Sequence, residues 1–316
     1  MSMTKRERIK AAAACQDVDR VPYSLWYHFT YVDDKAGDEF IGETLAFAHR
    51  HDIDFLKVMH DVDYDMPESM PAIQNVEDWR KLEPLDVRKG NFGRHLEALK
   101  RIKDGLDDDR PIVDTTFHSF AFAQRISAER AIVCEHIKED PDAVEAGLKT
   151  IGETLKNWAK VTIEEEGVLD GLFLAINGIG GEFTDAATYE KLMMPTDAAV
   201  LQACKDAGGW FNVAHLHGAD LHFDLGIQLP FDVLSWSDRA FGPSLTEARA
   251  KTDACFVGGV NEVTGDAVTP DEIKAEAKDA IAQVGPKGLI VTCGCAFPTP
   301  TPEENLSAIR EAILEG

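Results

Sequence analysis

Two short apolar runs end in residues that can hold a metal. In FNVAHLHG (211–218) His215 and His217 stand two apart, and in LIVTCGC (289–295) Cys293 and Cys295 do the same. Residues two apart on an extended strand share a face, so each pair projects together. Two imidazoles with one or two thiolates offer the nitrogen and sulfur donors that zinc takes in tetrahedral geometry. The plainer alternative is that the histidines bond backbone carbonyls and the cysteines pack as small apolar residues. An H-x-H and a C-x-C far apart in the chain lack the specificity of a finger-type pattern, so both readings stand on spacing alone.

Other candidates lie at similar places. Asp61 follows the apolar FLKVMH, where burial and charged neighbours can tune a carboxylate for acid–base work or substrate anchoring; its structural alternatives are an N-cap or a rim ion pair. His60 points away from Asp61 and is expected to pack. Of the adjacent Tyr27 and His28, only one can face inward. Asn177 precedes the glycines of NGIGGEF, where it can bind substrate or hold a turn, and His222 is expected to cap a loop or helix. The glycines of NGIGGEF and VGGVN lack the spacing and following acid of a dinucleotide fingerprint and read as tight turns.

Something must bring these residues together. Eight apolar, β-branched runs recur, at 21–29, 54–61, 111–117, 171–178, 211–218, 233–238, 255–261 and 289–295, separated by segments with helical period or caps. Asp140 before Pro141 opens a long helix; Thr269-Pro270 and Thr301-Pro302, each followed by two acids, read as capping boxes with Pro at the first helical position. Gly285 and Gly316 stand where helices should stop. Eight strand–helix units predict an α/β fold, a (β/α)8 TIM barrel forming one domain over residues 1–316, with an open doubly wound sheet as the alternative. Active sites of that barrel lie at the C-terminal strand ends, where the candidates above other than His222 fall.

Composition narrows the partners. A net charge of −24 over 316 residues, with Lys and Arg scattered among acids, argues against nucleic-acid or anionic membrane surfaces. No apolar run approaches the length of a membrane span, and the N-terminal stretch lacks a secretory h-region, so a cytoplasmic protein is expected. Six cysteines in a chain this long are no disulfide framework and are expected to be reduced.

Taken in order, KRERIKAAAACQDVDRVPYSLW, DFLKVMHDVDY, DGLFLAINGIGGEF with YEKLMMP, AHLHGADLHFDLG, GGVN and CGCAFPTPTPEENLSAI resemble the uroporphyrinogen decarboxylase superfamily over nearly the whole chain. The resemblance implies a (β/α)8 barrel. In true decarboxylases an Arg-rich segment after the first strand holds the porphyrinogen carboxylates; here WYHFTYVDDKAG (26–37) contains no Arg. Asp61 matches the substrate-binding aspartate of that branch. A second branch, the zinc-dependent corrinoid methyltransferases, carries His-x-Cys-Gly and a later Cys before a Pro-rich helix start. His215 and Cys295 match that pattern, while His217 stands where the branch has Cys, keeping a nitrogen donor in place of a thiolate.

That resemblance implies a zinc site of His215, His217 and Cys295 with its fourth position open for the methyl acceptor, and Cys293 as a further sulfur if the site is closed. It implies methyl transfer between a methylcorrinoid, carried on a separate partner protein, and a thiol or other small acceptor; Asp61 and Asn177, from their places at strand ends, are the expected catalytic residues. The alternatives are a metal-independent lyase acting on a tetrapyrrole or other carboxylate, and a non-catalytic barrel that binds a ligand or corrinoid protein.

Overall fold

Residues 2–315 are described here by a computed structural model. Seven strands, β1 (Leu56–Val58), β2 (Ile112–Phe117), β3 (Gly171–Ile176), β4 (Val213–Leu216), β5 (Val233–Trp236), β6 (Cys255–Val260) and β7 (Leu289–Cys293), form one parallel sheet in chain order. They are almost wholly buried on both faces, which explains why they read as continuous apolar runs rather than alternating ones.

The first expected strand departs from the prediction. Residues 21–29 add no regular ladder but bridge the sheet's two edges, pairing Tyr23 with Val291 and Tyr27 with Phe297. Val291 N donates to Pro22 O (2.9 Å) and Ser24 N to Val291 O (3.1 Å); on the other side Asp54 N donates to Tyr23 O (3.0 Å) and Ser24 Oγ to Phe55 O (2.8 Å). Pro22 has no N–H to give, and the Tyr23 N–H goes to the Asp54 carboxylate instead of a strand carbonyl (2.9 Å). Asp54 also accepts from Arg8 (2.7 Å) and Arg20 (2.6 Å), so the basic residues of the N-terminal segment pin it to the edge of β1. Removing one partner of such a buried ion network costs about 3–5 kcal/mol.

Contacts across the interior confirm the curl of the sheet into a (β/α)8 barrel. Trp26 meets the Phe173 ring of β3 at 5.6 Å, and Phe55 before β1 meets Phe211 before β4 at 5.0 Å, although these segments are not neighbours in the sheet. Helices cover the outside, as parallel crossovers require. Asp140 caps the helix Pro141–Ala159 by accepting from Ala143 N (3.0 Å), and Thr269 with Glu272 forms the capping box of the helix Pro270–Val284, which ends at Gly285 with φ 78°.

Thr301 does not cap the last helix. Its hydroxyl turns back to Pro298 O (2.7 Å), and the helix Glu303–Leu314 starts after Pro302. The expected stop at Gly316 lies outside the described residues. Among those described, no helix is long and apolar enough to cross a membrane.

Candidate metal and substrate site at the barrel mouth

β4 delivers both histidines to one side of the barrel mouth, as strand alternation requires: their ring centroids lie 5.6 Å apart. His215 is buried in register beside Ser235 of β5, with Nδ1 and Ser235 Oγ 3.1 Å apart, and tilts against the Phe173 ring. Its Nε2 is buried without a hydrogen-bond partner among the described residues. Cys295 follows the end of β7 and meets this pair across the interior, with Sγ 3.6 Å from His217 Nδ1. One ligand atom from each of His215, His217 and Cys295 lies within 4.8 Å of the others. The structure thus brings together the three side chains that the resemblance implied.

Cys293 goes elsewhere. It is the last residue of β7, and a bend at Gly294 breaks the two-residue alternation before Cys295 is reached. Its fully buried thiol is 3.8 Å from Trp26 O, and burial pushes it up to about 12. Cys295 behaves oppositely: burial raises its thiol, but His215 alongside and Lys57 outweigh this and hold it below the ordinary value. Burial likewise lowers both imidazoles, keeping their lone pairs free of protons.

Lys57 was not singled out in the sequence, although a lone charge inside FLKVMHD was a signal. It is only 6% exposed, with Nζ 4.5 Å from the Phe173 ring centroid, 5.0 Å from that of Trp26 and 3.0 Å from Met59 Sδ. Burial lowers its ammonium to about 8. Among the described residues it has no carboxylate ion-pair partner and is held by ring faces.

Asp61 forms the rim ion pair that was one of its alternatives, with Oδ2 2.7 Å from His28 Nδ1. Burial raises its carboxyl, but His28, Lys57 and Arg125 outweigh that and leave it below the usual range. Tyr27 packs on Phe47 (5.1 Å), so His28 is the member of that dipeptide that serves the rim. Asn177 follows β3 with its Oδ1 buried and unpartnered among the described residues. Its turn is fixed by the Gly178 N–H donating to His118 Nε2 (3.0 Å), while His118 Nδ1 lies 3.1 Å from Asp197. His222 secures the same loop, its Nε2 2.8 Å from Thr184 O.

His60 packs as expected, against Phe92 and Trp158, but inside a polar network between sheet and helices. His60 Nδ1 and His95 Nε2 lie 2.9 and 2.8 Å from the two oxygens of Asp114, and Trp158 Nε1 donates at 3.0 Å. These three side chains form a second set with ligand atoms within 4.8 Å of one another, fully buried. Three N–H groups satisfy the carboxylate and link the helices to β1 and β2, while His60 Nε2 and His95 Nδ1 are buried without a partner among the described residues.

Sequence comparison adds relatives to this geometry. The chain is 25% identical over 249 residues to a methylcobamide:CoM methyltransferase, MtbA, of Methanosarcina mazei, covering 76% of this chain and 68% of the relative. It is 26% identical over 250 residues to MtbA of Methanosarcina acetivorans, with the same coverage. A solved methyltransferase from Methanosarcina mazei superposes with a TM-score of 0.82 at 19% identity over 99% of both chains. A B12-independent methionine synthase from a Shewanella species shares the fold more distantly, with a TM-score of 0.58 at 13% identity over 94% of each chain. Residues 58–315 match the uroporphyrinogen decarboxylase (URO-D) family, and with its barrel continuous over that span, the chain belongs to this family.

Proposed function

We propose that this enzyme, a methyltransferase, moves a methyl group between a corrinoid carrier and a thiol acceptor at a zinc site held by His215, His217 and Cys295. The observation that carries the reading is the convergence of these three ligand atoms within 4.8 Å, from strand ends on opposite sides of the barrel. The donor set fits the metal: two imidazoles kept unprotonated, one with an orphaned Nε2, and a thiol held below its ordinary value. Bound there, zinc would lower the pKa of a thiol in its open fourth position and supply a thiolate nucleophile near neutral pH.

The chain's own residues do the rest. Ser235 orients the His215 ring, so that Nε2 is the nitrogen free to ligate. Lys57 supplies positive charge beside Cys295 and favours thiolate there. Asp61, steadied by His28, and Asn177, with its unpartnered carbonyl oxygen, are the groups assigned to orient substrate as it enters. Exposed Tyr31, Phe241 and Val263 lie on loops that follow strands at this end and suit the docking of a carrier protein. The relatives' names support corrinoid-linked methyl transfer.

Metal content is the first test. Protein purified without an immobilised-metal step is expected to hold about one zinc per chain by mass spectrometry, and to demethylate methylcobalamin when given a thiol. Failure to bind zinc offered stoichiometrically under reducing conditions would overturn the reading.

A further inference from the structure

We infer that the acceptor this site takes carries a cationic amine, and that Glu262 is the residue that recognises it. The inference rests on the thiol-binding reading above for the acceptor's sulfur, and on Glu262 for its charge.

Glu262 follows β6 at the same end of the barrel as His217 and Cys295. It is 5% exposed. Oε1 accepts a hydrogen bond from Ser237 Oγ, whereas Oε2 is buried with no donor from the described residues. That free oxygen lies against Gly294, the residue before Cys295: an ideal Cβ on Gly294 would stand 2.8 Å from Oε2, 2.8 Å from Ser237 Cα and 3.0 Å from Trp236 O. Only glycine allows this approach, so the middle residue of C-G-C brings the carboxylate next to the candidate sulfur ligand.

No Lys, Arg or His among the described residues forms an ion pair with it. Arg239, two residues beyond Ser237, turns outward to Gly259 O (2.7 Å), Glu276 O (2.8 Å) and Asp279 (2.8 Å). Lys57 faces the Phe173 and Trp26 rings and Met59. A buried carboxylate with half its acceptors unmet is costly unless something pairs with it. A second carboxylate, Glu182 on the loop after β3, also acts on His217, so the neutral imidazole lies in the field of two acids. A substrate bearing its own negative charge would meet both, while an ammonium or amine satisfies Oε2 directly. The matching ligand class is a short aminothiol, sulfur toward the ligand triad and nitrogen toward Glu262.

Titration calorimetry on the full chain, zinc-loaded and metal-free, separates the possibilities with three thiols of equal length: 2-aminoethanethiol, 2-mercaptoethanol and 2-mercaptoethanesulfonate. The amine is expected to bind at least roughly tenfold more tightly than the sulfonate, and Glu262→Gln to cut that preference to about threefold or less. Gln keeps the shape and the Ser237 contact, and circular dichroism checks its fold; the charge series on wild-type protein tests the inference without any variant. Equal or tighter binding of the neutral or anionic thiol, no measurable binding of the amine, or an unchanged preference in Glu262→Gln would overturn it. An amine preference in protein that takes up no zinc would sink the metal reading alone, whereas zinc uptake and methyl transfer without that preference would sink this one alone.

Discussion

Cys295 Sγ lies 3.6 Å from His217 Nδ1, joining segments 78 residues apart that follow β7 and β4. Neither residue has its usual acid–base character: burial lowers the imidazole, and neighbouring charge lowers the thiol. A neutral nitrogen beside a thiolate-prone sulfur is the state a divalent cation selects.

Single ligand removals should therefore be decisive. His215→Ala and Cys295→Ser are each expected to lose most of the bound zinc, because two donors hold the ion far less tightly than three. His217→Cys should retain it. Cys293→Ser is the control: with its thiol directed at Trp26 O, it should leave metal content within error of wild type. Metal analysis of the four variants checks this, and loss of zinc in Cys293→Ser would refute the assignment.

Lys57→Met replaces the buried ammonium by an apolar side chain of similar length. Since Lys57 favours the Cys295 thiolate, the variant's thiol should titrate higher than in the wild type. Alkylation of metal-free protein across pH, read at the Cys295 peptide by mass spectrometry, measures the shift; an unmoved midpoint would show that Lys57 does not act on the sulfur.

Acid should destabilise the fold before its carboxylates titrate. Burial sets the folded pKa of His60 and of His215 below the ordinary value, so the unfolded chain takes up protons near pH 6.5 that the folded one refuses. Stability from these groups is fully present above about pH 6.5 and falls with acidification by up to ~1.4 kcal/mol per group per pH unit. Urea unfolding of metal-free protein at pH 7.5 and 5.5 should give the lower midpoint at 5.5; equal midpoints would contradict the neutral burial of these rings.

The family's decarboxylase chemistry is not expected here. Between Trp26 and Gly37 there is no guanidinium to hold a ring of substrate carboxylates, and Asp61 and Glu262 add negative charge at the mouth. Incubation with uroporphyrinogen should yield no coproporphyrinogen above background by chromatography. Robust conversion would place this chain with the lyases.

The sequence alone was enough for the architecture, because a barrel strand buried on both faces must be apolar and its crossover helix must be capped; both marks are local. It also sufficed for the meeting of His215 and His217, since alternation along β4 is a property of one strand. Three things needed the tertiary structure. Residues 21–29 look like any other strand, yet Asp54, distant in sequence, captures the Tyr23 N–H and turns the run into a bridge between edges. Cys293 and Cys295 look equivalent, yet a bend where Glu262 and Ser237 crowd Gly294 sends one to Trp26 and the other to the histidines. Glu262 and Lys57 gain their significance only from what surrounds them. Burial and the absence of a partner are sums over neighbours from many strands, and no single stretch of chain contains them.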